Sequence, residues 1–451
     1  MTTATPAPLV FSPYDYAVHE DPYPFYARLR AEAPVYHNAE LDFWALSKYS
    51  DVREAFRAPE VFSSAMGVSL DPAAYGPHAH KTMSFLAMDD PRHARLRRLV
   101  SKGFTARRVD GLGEGVEKIS RQYWDECLQR AADGETIDFV DDYAGKLPMD
   151  VISDLMGVPE VDRAELRRLA DLVMHREEGV QDVPQDSMVA ALDLITYYQG
   201  MVAERRRSRT EDLTSALIDA EVDGEKLDED EILSFLFLMV VAGNETTTKL
   251  LANALFWGHE HPEQSRLVLD DPSRAPQWVE ETLRFDTSSQ MVLRTTTADT
   301  TIRGVTIPAD EKVLLLIGSA NRDHEIFPDG DVYDLSRDTS ASLSFGQGPH
   351  FCLGAHLARL EGRIALDMIA RSITGYELLR ACAFVQRPWF RAPAHADRGG
   401  GPMSLRFPPQ LDTSERPVLV TGASSGIGRA SAEALAALGH PVVVGARRAD
   451  R

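Results

Sequence analysis

Cys352 stands in the run Phe345-Gly346-Gln347-Gly348-Pro349-His350-Phe351-Cys352-Leu353-Gly354, just ahead of a helical pattern that opens at Ala355. A thiolate at a helix N-terminus is favoured by the helix dipole and by backbone N–H groups left without partners in the helix. The flanking glycines let the backbone approach a large flat ligand and donate hydrogen bonds to the sulfur. The chemistry this points to is ligation of a metal by one axial thiolate. Upstream, Glu245 and Thr246 sit side by side in Ala242-Gly243-Asn244-Glu245-Thr246-Thr247, inside a long apolar segment. A carboxylate can relay protons, and a threonine hydroxyl can leave the helical bonding pattern to bind something else. Glu281 and Arg284 are three apart, and His93 and Arg97 four apart, so each pair shares a helix face.

Phe345, Gly348, Cys352 and Gly354 fill every fixed position of Phe-x-x-Gly-x-x-x-Cys-x-Gly, and the run resembles the haem-binding loop of the cytochrome P450 family. Ala242 to Thr247 resembles that family's oxygen-activation motif, with glutamate as the less usual acid, and Glu281 to Arg284 resembles its structural Glu-x-x-Arg. The resemblance implies haem b, with Cys352 as the iron ligand. It implies that small Ala242 and Gly243 let the helix pass close to the haem, that Thr246 interrupts the helical bonding there, and that Glu245 and Thr246 bring protons to dioxygen. Glu281 and Arg284 would lock the core behind the cysteine loop. His93, Arg97, Arg294 and His350 are candidates for the haem propionates, because Arg and protonated His neutralise carboxylates. Where the family usually adds an Arg or His to the Glu-x-x-Arg network this chain has Val332; Arg322 and Arg337 are both candidates to replace it.

These residues have to be held by a helix-rich α+β fold with small sheets. Helices are expected over 21–32, 49–57, 91–104, 112–132, 159–175, 187–206 and about 228–259, the last with an acidic start that suits the positive end of the dipole. Strands are expected over 35–37, 43–46, 300–305, 312–317 and 403–407. The resemblance covers about residues 10 to 408 and gives a domain 1–408, followed by a linker 409–416.

From 417 the pattern changes. Pro417 to Thr421 reads as a strand, Gly422 to Gly428 as a glycine-rich turn, and a helix and a second apolar strand follow. Thr421-Gly422-x-x-x-Gly426-x-Gly428 resembles the opening of the short-chain dehydrogenases/reductases. Residues 417–451 are therefore expected to be a truncated, Rossmann-like βαβ fragment of a natural fusion. Gly445-Ala446-Arg447-Arg448 replaces the usual acid, which would favour NADP in a complete partner domain.

The chain has 451 residues and a formal net charge of −21, which argues against nucleic acid as a general partner. Three dispersed cysteines (Cys127, Cys352, Cys382) and the lack of a leader or anchor pattern place the expected chain in the cytoplasm, off the membrane. The basic stretch holding Arg92, Arg95, Arg97, Arg98, Lys102, Arg107 and Arg108 suits docking of an acidic ferredoxin. The expected reaction is insertion of one oxygen atom from O2 into an apolar small molecule. Electrons would come from NAD(P)H through external redox partners of the ferredoxin type. Expected substrate walls are 66–88, Val241, Ala242 and 290–293. A peroxide-driven haem peroxygenase and a non-catalytic haem-binding protein remain the alternatives.

Overall fold

The computed structural model describes residues 8–101, 104, 109–175, 182–378, 384–387, 390–393, 403–406, 418–421 and 442–445. Helices dominate, as the periodicity requires: α1 (Tyr23–Glu32), α2 (Tyr49–Arg57), α3 (Arg92–Ser101), α4 (Gly113–Ala132), α5 (Lys146–Met156), α6 (Glu160–Met174), α7 (Gln185–Arg207), α8 (Glu229–Glu260), α9 (Ala275–Phe285) and α10 (Ala355–Ser372). α8 opens with a capping box in which the Asp228 carboxylate accepts from the Glu231 amide and Glu231 accepts from the Asp228 amide. Its apolar residues run round the whole helix, so it is buried along most of its length.

α5 does not stand out in the sequence, because Pro148 interrupts Leu147 to Ile152 and reads as a break, although it lies in the first turn, where a helix tolerates it. It packs against α8 and ends at Gly157, whose left-handed backbone (φ 85°) stops the helix. Asp212 fills the space a Cβ would need there.

The larger sheet takes strands in the order β1-β2-β6-β5-β3, where β1 is Val35–Asn38, β2 Phe43–Leu46, β3 Phe62–Ser63, β5 Val292–Thr296 and β6 Lys312–Leu315. β6 runs parallel to β2, with Val313 opposite Trp44, and antiparallel to β5, with Val313 opposite Arg294. Arg294 thus sits on an inner strand. A smaller sheet places β8 (Ser404–Arg406) between β7 (Glu377–Leu378) and β4 (Ile137–Asp138). The expected strand 300–305 is instead a hairpin, Thr300–Ile302 with Val305–Ile307, turned by Arg303 and Gly304 at φ 50° and 81°. The expected strand 312–317 stops at Leu315, and Ile317–Ala320 is helical.

One compact unit comprises residues 1–372 and 376–406. The other comprises 373–375 and 407–451, in which β9 (Val418–Thr421) and β10 (Val442–Gly445) pair in parallel, Val418 opposite Val442. The expected glycine-rich turn and helix of this unit lie outside the described residues, as do the linker 409–416 and Cys382. Among the described residues no helix is long and apolar enough to cross a membrane.

Candidate active site

The cysteine loop folds back on itself, with the Cys352 amide donating to the Phe345 carbonyl at 2.9 Å. Gly348 has φ 69°, and a Cβ there would stand 2.6 Å from the backbone oxygen of Phe56, so this position admits only glycine. The amides of Gly354 and Ala355 reach the Cys352 sulfur, and Arg97 and Arg359 add positive potential. Burial nevertheless outweighs all of these and pushes the thiol's pKa up. The expected donors are present, yet without a cation on the sulfur the group is a thiol. Cys352 is accessible, although protein crowds round its sulfur. Phe345 is covered by the Arg359 guanidinium at 4.5 Å from its ring, and Arg359 is anchored on Glu280.

Next to this loop the structure gathers two arginines and two histidines, Arg97, Arg294, His93 and His350. The rings of His93 and His350 lie 4.1 Å apart. Arg97 donates to the Phe351 carbonyl, which ties α3 to the cysteine loop. Arg294 is only 4% exposed; it donates to the Leu293 carbonyl at 2.8 Å and lies over the Phe56 ring. Among the described residues neither Arg97 nor Arg294 has an ion-pair partner. Burial pulls the Arg294 pKa down to about 10. Burial, Arg294, His93 and Arg97 drive that of His350 down to about 2. His93 Nε2, Arg97 Nη1 and His350 Nδ1 are buried without hydrogen-bond partners. Buried positive charge with unmet donors is costly, and an anionic group is what relieves it. The carboxylates of a haem fit this cluster, and Arg97 links it to the cysteine loop through the Phe351 carbonyl.

α8 supplies the third part. The Thr246 hydroxyl donates to the Ala242 carbonyl at 2.9 Å, and the Thr246 carbonyl accepts from Ser288 at 2.8 Å. The expected interruption of the helix is absent: α8 runs unbroken through 242–247, with Thr246 bonded within its own turn. Val241 and Ala242 pack against an apolar cluster that also takes Leu353, Phe85, Met88 and Phe235, so α8 and the cysteine loop share one wall. Gly243 does not open that wall; its missing Cβ faces Ile152 of α5 at 3.5 Å. Glu245 is buried rather than solvated. Its carboxylate pairs with buried Lys249 at 2.7 Å and borders a crevice of about 30 Å³ formed with Val140, Asp141, Gly145, Arg167, Asp171, Asn244 and Thr248.

Behind the loop, Glu281 and Arg284 form a bidentate pair with both contacts at 2.7 Å and almost no exposure. Arg284 also donates to the carbonyls of Asn321, Gly330 and Val332. Val332 contributes that carbonyl while its side chain points outward, 53% exposed. Of the two candidates for the vacant role, Arg337 takes it, at 3.7 Å from Glu281 with donors to the Pro328 and Asp329 carbonyls. Arg322 is sandwiched between the Tyr23 and Phe285 rings at 3.3 and 3.6 Å.

Other expectations change. Gln290 is no substrate wall: it is fully buried and donates to Tyr23, Asp286 and the Thr287 carbonyl. Met291 and Leu293 belong to a separate core beneath the larger sheet. Of the described residues in the basic stretch, Arg95, Arg97 and Arg98 make contacts within the chain. Arg95 pairs with Glu225 and Glu231, Arg98 lies 3.5 Å from Asp223, and Arg97 turns inward. Lys102, Arg107 and Arg108 lie outside the described residues. Lys249 was missed although its spacing of four from Glu245 was readable; Arg359, seven beyond Cys352, carried no such signal.

The family model described as cytochrome P450 matches residues 275–372. The protein called cytochrome P450 123 in Mycobacterium tuberculosis is 55% identical over 371 residues, covering 82% of this chain and 91% of its own. The vitamin D(3) 25-hydroxylase of Pseudonocardia autotrophica is 38% identical, over 78% of this chain and 86% of its own. The solved structure of cytochrome P450 CYP109Q5 from Chondromyces apiculatus superposes with a TM-score of 0.76 at 33% identity, over 88% of this chain and 97% of that one.

Proposed function

This chain belongs to the cytochrome P450 family of haem-containing oxidoreductase monooxygenases, and from that premise we propose that it hydroxylates an apolar small molecule with electrons from an external ferredoxin-type donor. The observation that carries the site assignment is the pair of arginines, Arg97 and Arg294, without an ion-pair partner among the described residues, grouped with His93 and His350 beside an accessible Cys352. In this reading Cys352 ligates the iron, the cluster binds the propionates, and Phe345, Gly348 and Gly354 shape the loop. Ala242 would stand on the wall that faces the haem together with Leu353, and Gly243 lets α8 close on Ile152 of α5. The bound haem supplies dioxygen binding and activation.

The protein's own residues do the rest. Gly354 and Ala355 amides and Arg359 stabilise negative charge on the sulfur. The wall of Phe85, Phe235, Val241, Ala242 and Leu353 excludes water and accepts an apolar substrate. Glu245 takes up protons and Thr246 passes them on through its hydroxyl, which its bond to Ala242 holds in place.

Kinship with the Pseudonocardia enzyme supports a lipophilic polycyclic substrate. The test is addition of vitamin D3 to the purified holoenzyme, followed by turnover with NADPH, a plant-type ferredoxin and its reductase. A low- to high-spin shift and a product heavier by one oxygen support the reading. A shift with no product under this system, together with product from hydrogen peroxide alone, would point to the peroxygenase instead. Residues 1–408 form the catalytic domain in this proposal. The reading of 417–451 as the start of an NADP-dependent dehydrogenase rests on its glycine pattern, and the parallel pairing of β9 and β10 is what such a unit requires.

A further inference from the structure

Glu245 and Lys249 are one turn apart on α8, so both project towards the same side of the helix. They are 6% and 5% exposed and bridge at 2.7 Å. A buried ion pair seldom stabilises a fold more than apolar residues of the same volume would. Its presence in the helix that carries Thr246 therefore asks for a use. The crevice beside Glu245 supplies one. At about 30 Å³ it has room for one or two water molecules. Water needs polar partners, and the crevice offers Asp141, Arg167 and Asp171 besides Glu245. It also offers Asn244, a 3% exposed residue whose Oδ1 has no hydrogen bond. Arg167 and Asp171 belong to α6, so the crevice lies between α8 and α6. Thr246 is the next residue, turned about 100° round the helix from Glu245. Glu245 therefore stands between the crevice and the Thr246 hydroxyl.

We propose that Lys249 is a positioning residue, fixing the ionised Glu245 carboxylate against a water-holding crevice under α6 from which Glu245 draws its protons. The relay moves protons only. Each proton taken by the Glu245 carboxylate leaves a crevice water, is handed to the Thr246 hydroxyl, and is replaced from solvent past Asp171 and Arg167. The inference rests on the reading of Glu245 as the proton-carrying acid.

The test uses the ferric holoenzyme and Lys249→Met, Lys249→Arg, Glu245→Gln and the double Glu245→Gln/Lys249→Met variant. Infrared spectroscopy at neutral pH reads the carboxyl. Removing the Lys249 ammonium at 2.7 Å favours the protonated form of buried Glu245, giving a protonated-carboxyl band in Lys249→Met that is absent from wild type, Lys249→Arg and the double variant. The double variant removes both charges and folds where the single one is too unstable; a wild-type band missing from it would overturn the ionised state. Ferredoxin-driven NADPH consumption in H2O and D2O gives the second reading. Glu245→Gln and Lys249→Met are both expected to slow about tenfold, with a larger solvent isotope effect, and Lys249→Arg to recover most of the rate. If Glu245→Gln matches wild type, the role of Glu245 fails and this inference with it. If Glu245→Gln is slow while Lys249→Met keeps both the wild-type rate and the wild-type infrared spectrum, the positioning role alone is wrong.

Discussion

Arg97 and Arg294 are charged side chains brought inside the protein without a carboxylate to meet them among the described residues, and a bound anion is the physical reason to keep them there. Hydrogen bonds to charged groups contribute about 1.5–3 kcal/mol each. Arg294→Gln is therefore expected to release haem to apomyoglobin roughly ten to a hundred times faster than wild type. Transfer followed in the Soret region checks it; an unchanged rate would remove Arg294 from the propionate site. Glu361 on α10 makes a different point. It is buried, its Oε2 has no hydrogen bond, and burial alone pushes its pKa up to about 8. The unfolded chain releases this proton near pH 4.3, whereas the folded chain keeps it until about 8. The group's contribution is thus fully present below about pH 4.3 and drains as pH rises towards 8, at up to about 1.4 kcal/mol per pH unit. Glu361→Gln should match wild type in urea midpoint at pH 5 and exceed it increasingly towards pH 8. Parallel curves for the two proteins would show that Glu361 is already ionised in the fold.

At the scale of elements, the end of α9 is tied to the segment 321–337 by Glu281, Arg284 and Arg337. Removing one partner of a buried pair costs about 3–5 kcal/mol because the other charge stays behind. Arg284→Ala should lower stability by that order. Arg337→Ala is expected to cost about 1–3 kcal/mol, since it gives up carbonyl bonds and a longer contact to Glu281. Chemical denaturation of both variants orders them; equal losses would mean that Arg337 is a full member of the pair. Here the sequence was informative up to a point. The spacing within Glu281 to Arg284 and within Phe345 to Gly354 is local, and local spacing survives folding. Choosing Arg337 over Arg322 required knowing that Tyr23, more than two hundred residues away, stacks on Arg322. The same holds for Arg95, whose charge is absorbed by Glu225 and Glu231 from beyond α7. Gln290 looked like a wall residue because its neighbours are apolar, and only the packing of Tyr23 and Asp286 reveals it as a buried brace.

For the whole molecule, the order β7-β8-β4 makes residues 404–406 the inner strand of the smaller sheet, although they come close to the point where the resemblance ends. A chain ending at 411 is expected to keep the melting temperature and the haem spectrum of the full chain. A chain ending at 401 loses the strand that bridges β7 and β4 and should melt several degrees lower. Thermal melts of the two decide it, and equal stability would mean that β8 adds nothing to the fold. The helices that hold the site were legible because amphipathic periodicity marks α3 and the acidic capping start marks the long apolar run of α8. α5 was not, because Pro148 in its first turn reads as a break in the pattern. The account stands or falls on Cys352 as the iron ligand. Its most direct test is the carbon monoxide difference spectrum of the dithionite-reduced holoenzyme, wild type beside Cys352→Ala. The account predicts the strongly red-shifted Soret band of a thiolate-ligated ferrous carbonyl in wild type and its loss in the variant. The same band in both proteins, or a histidine-type band in well-folded wild type, would contradict it.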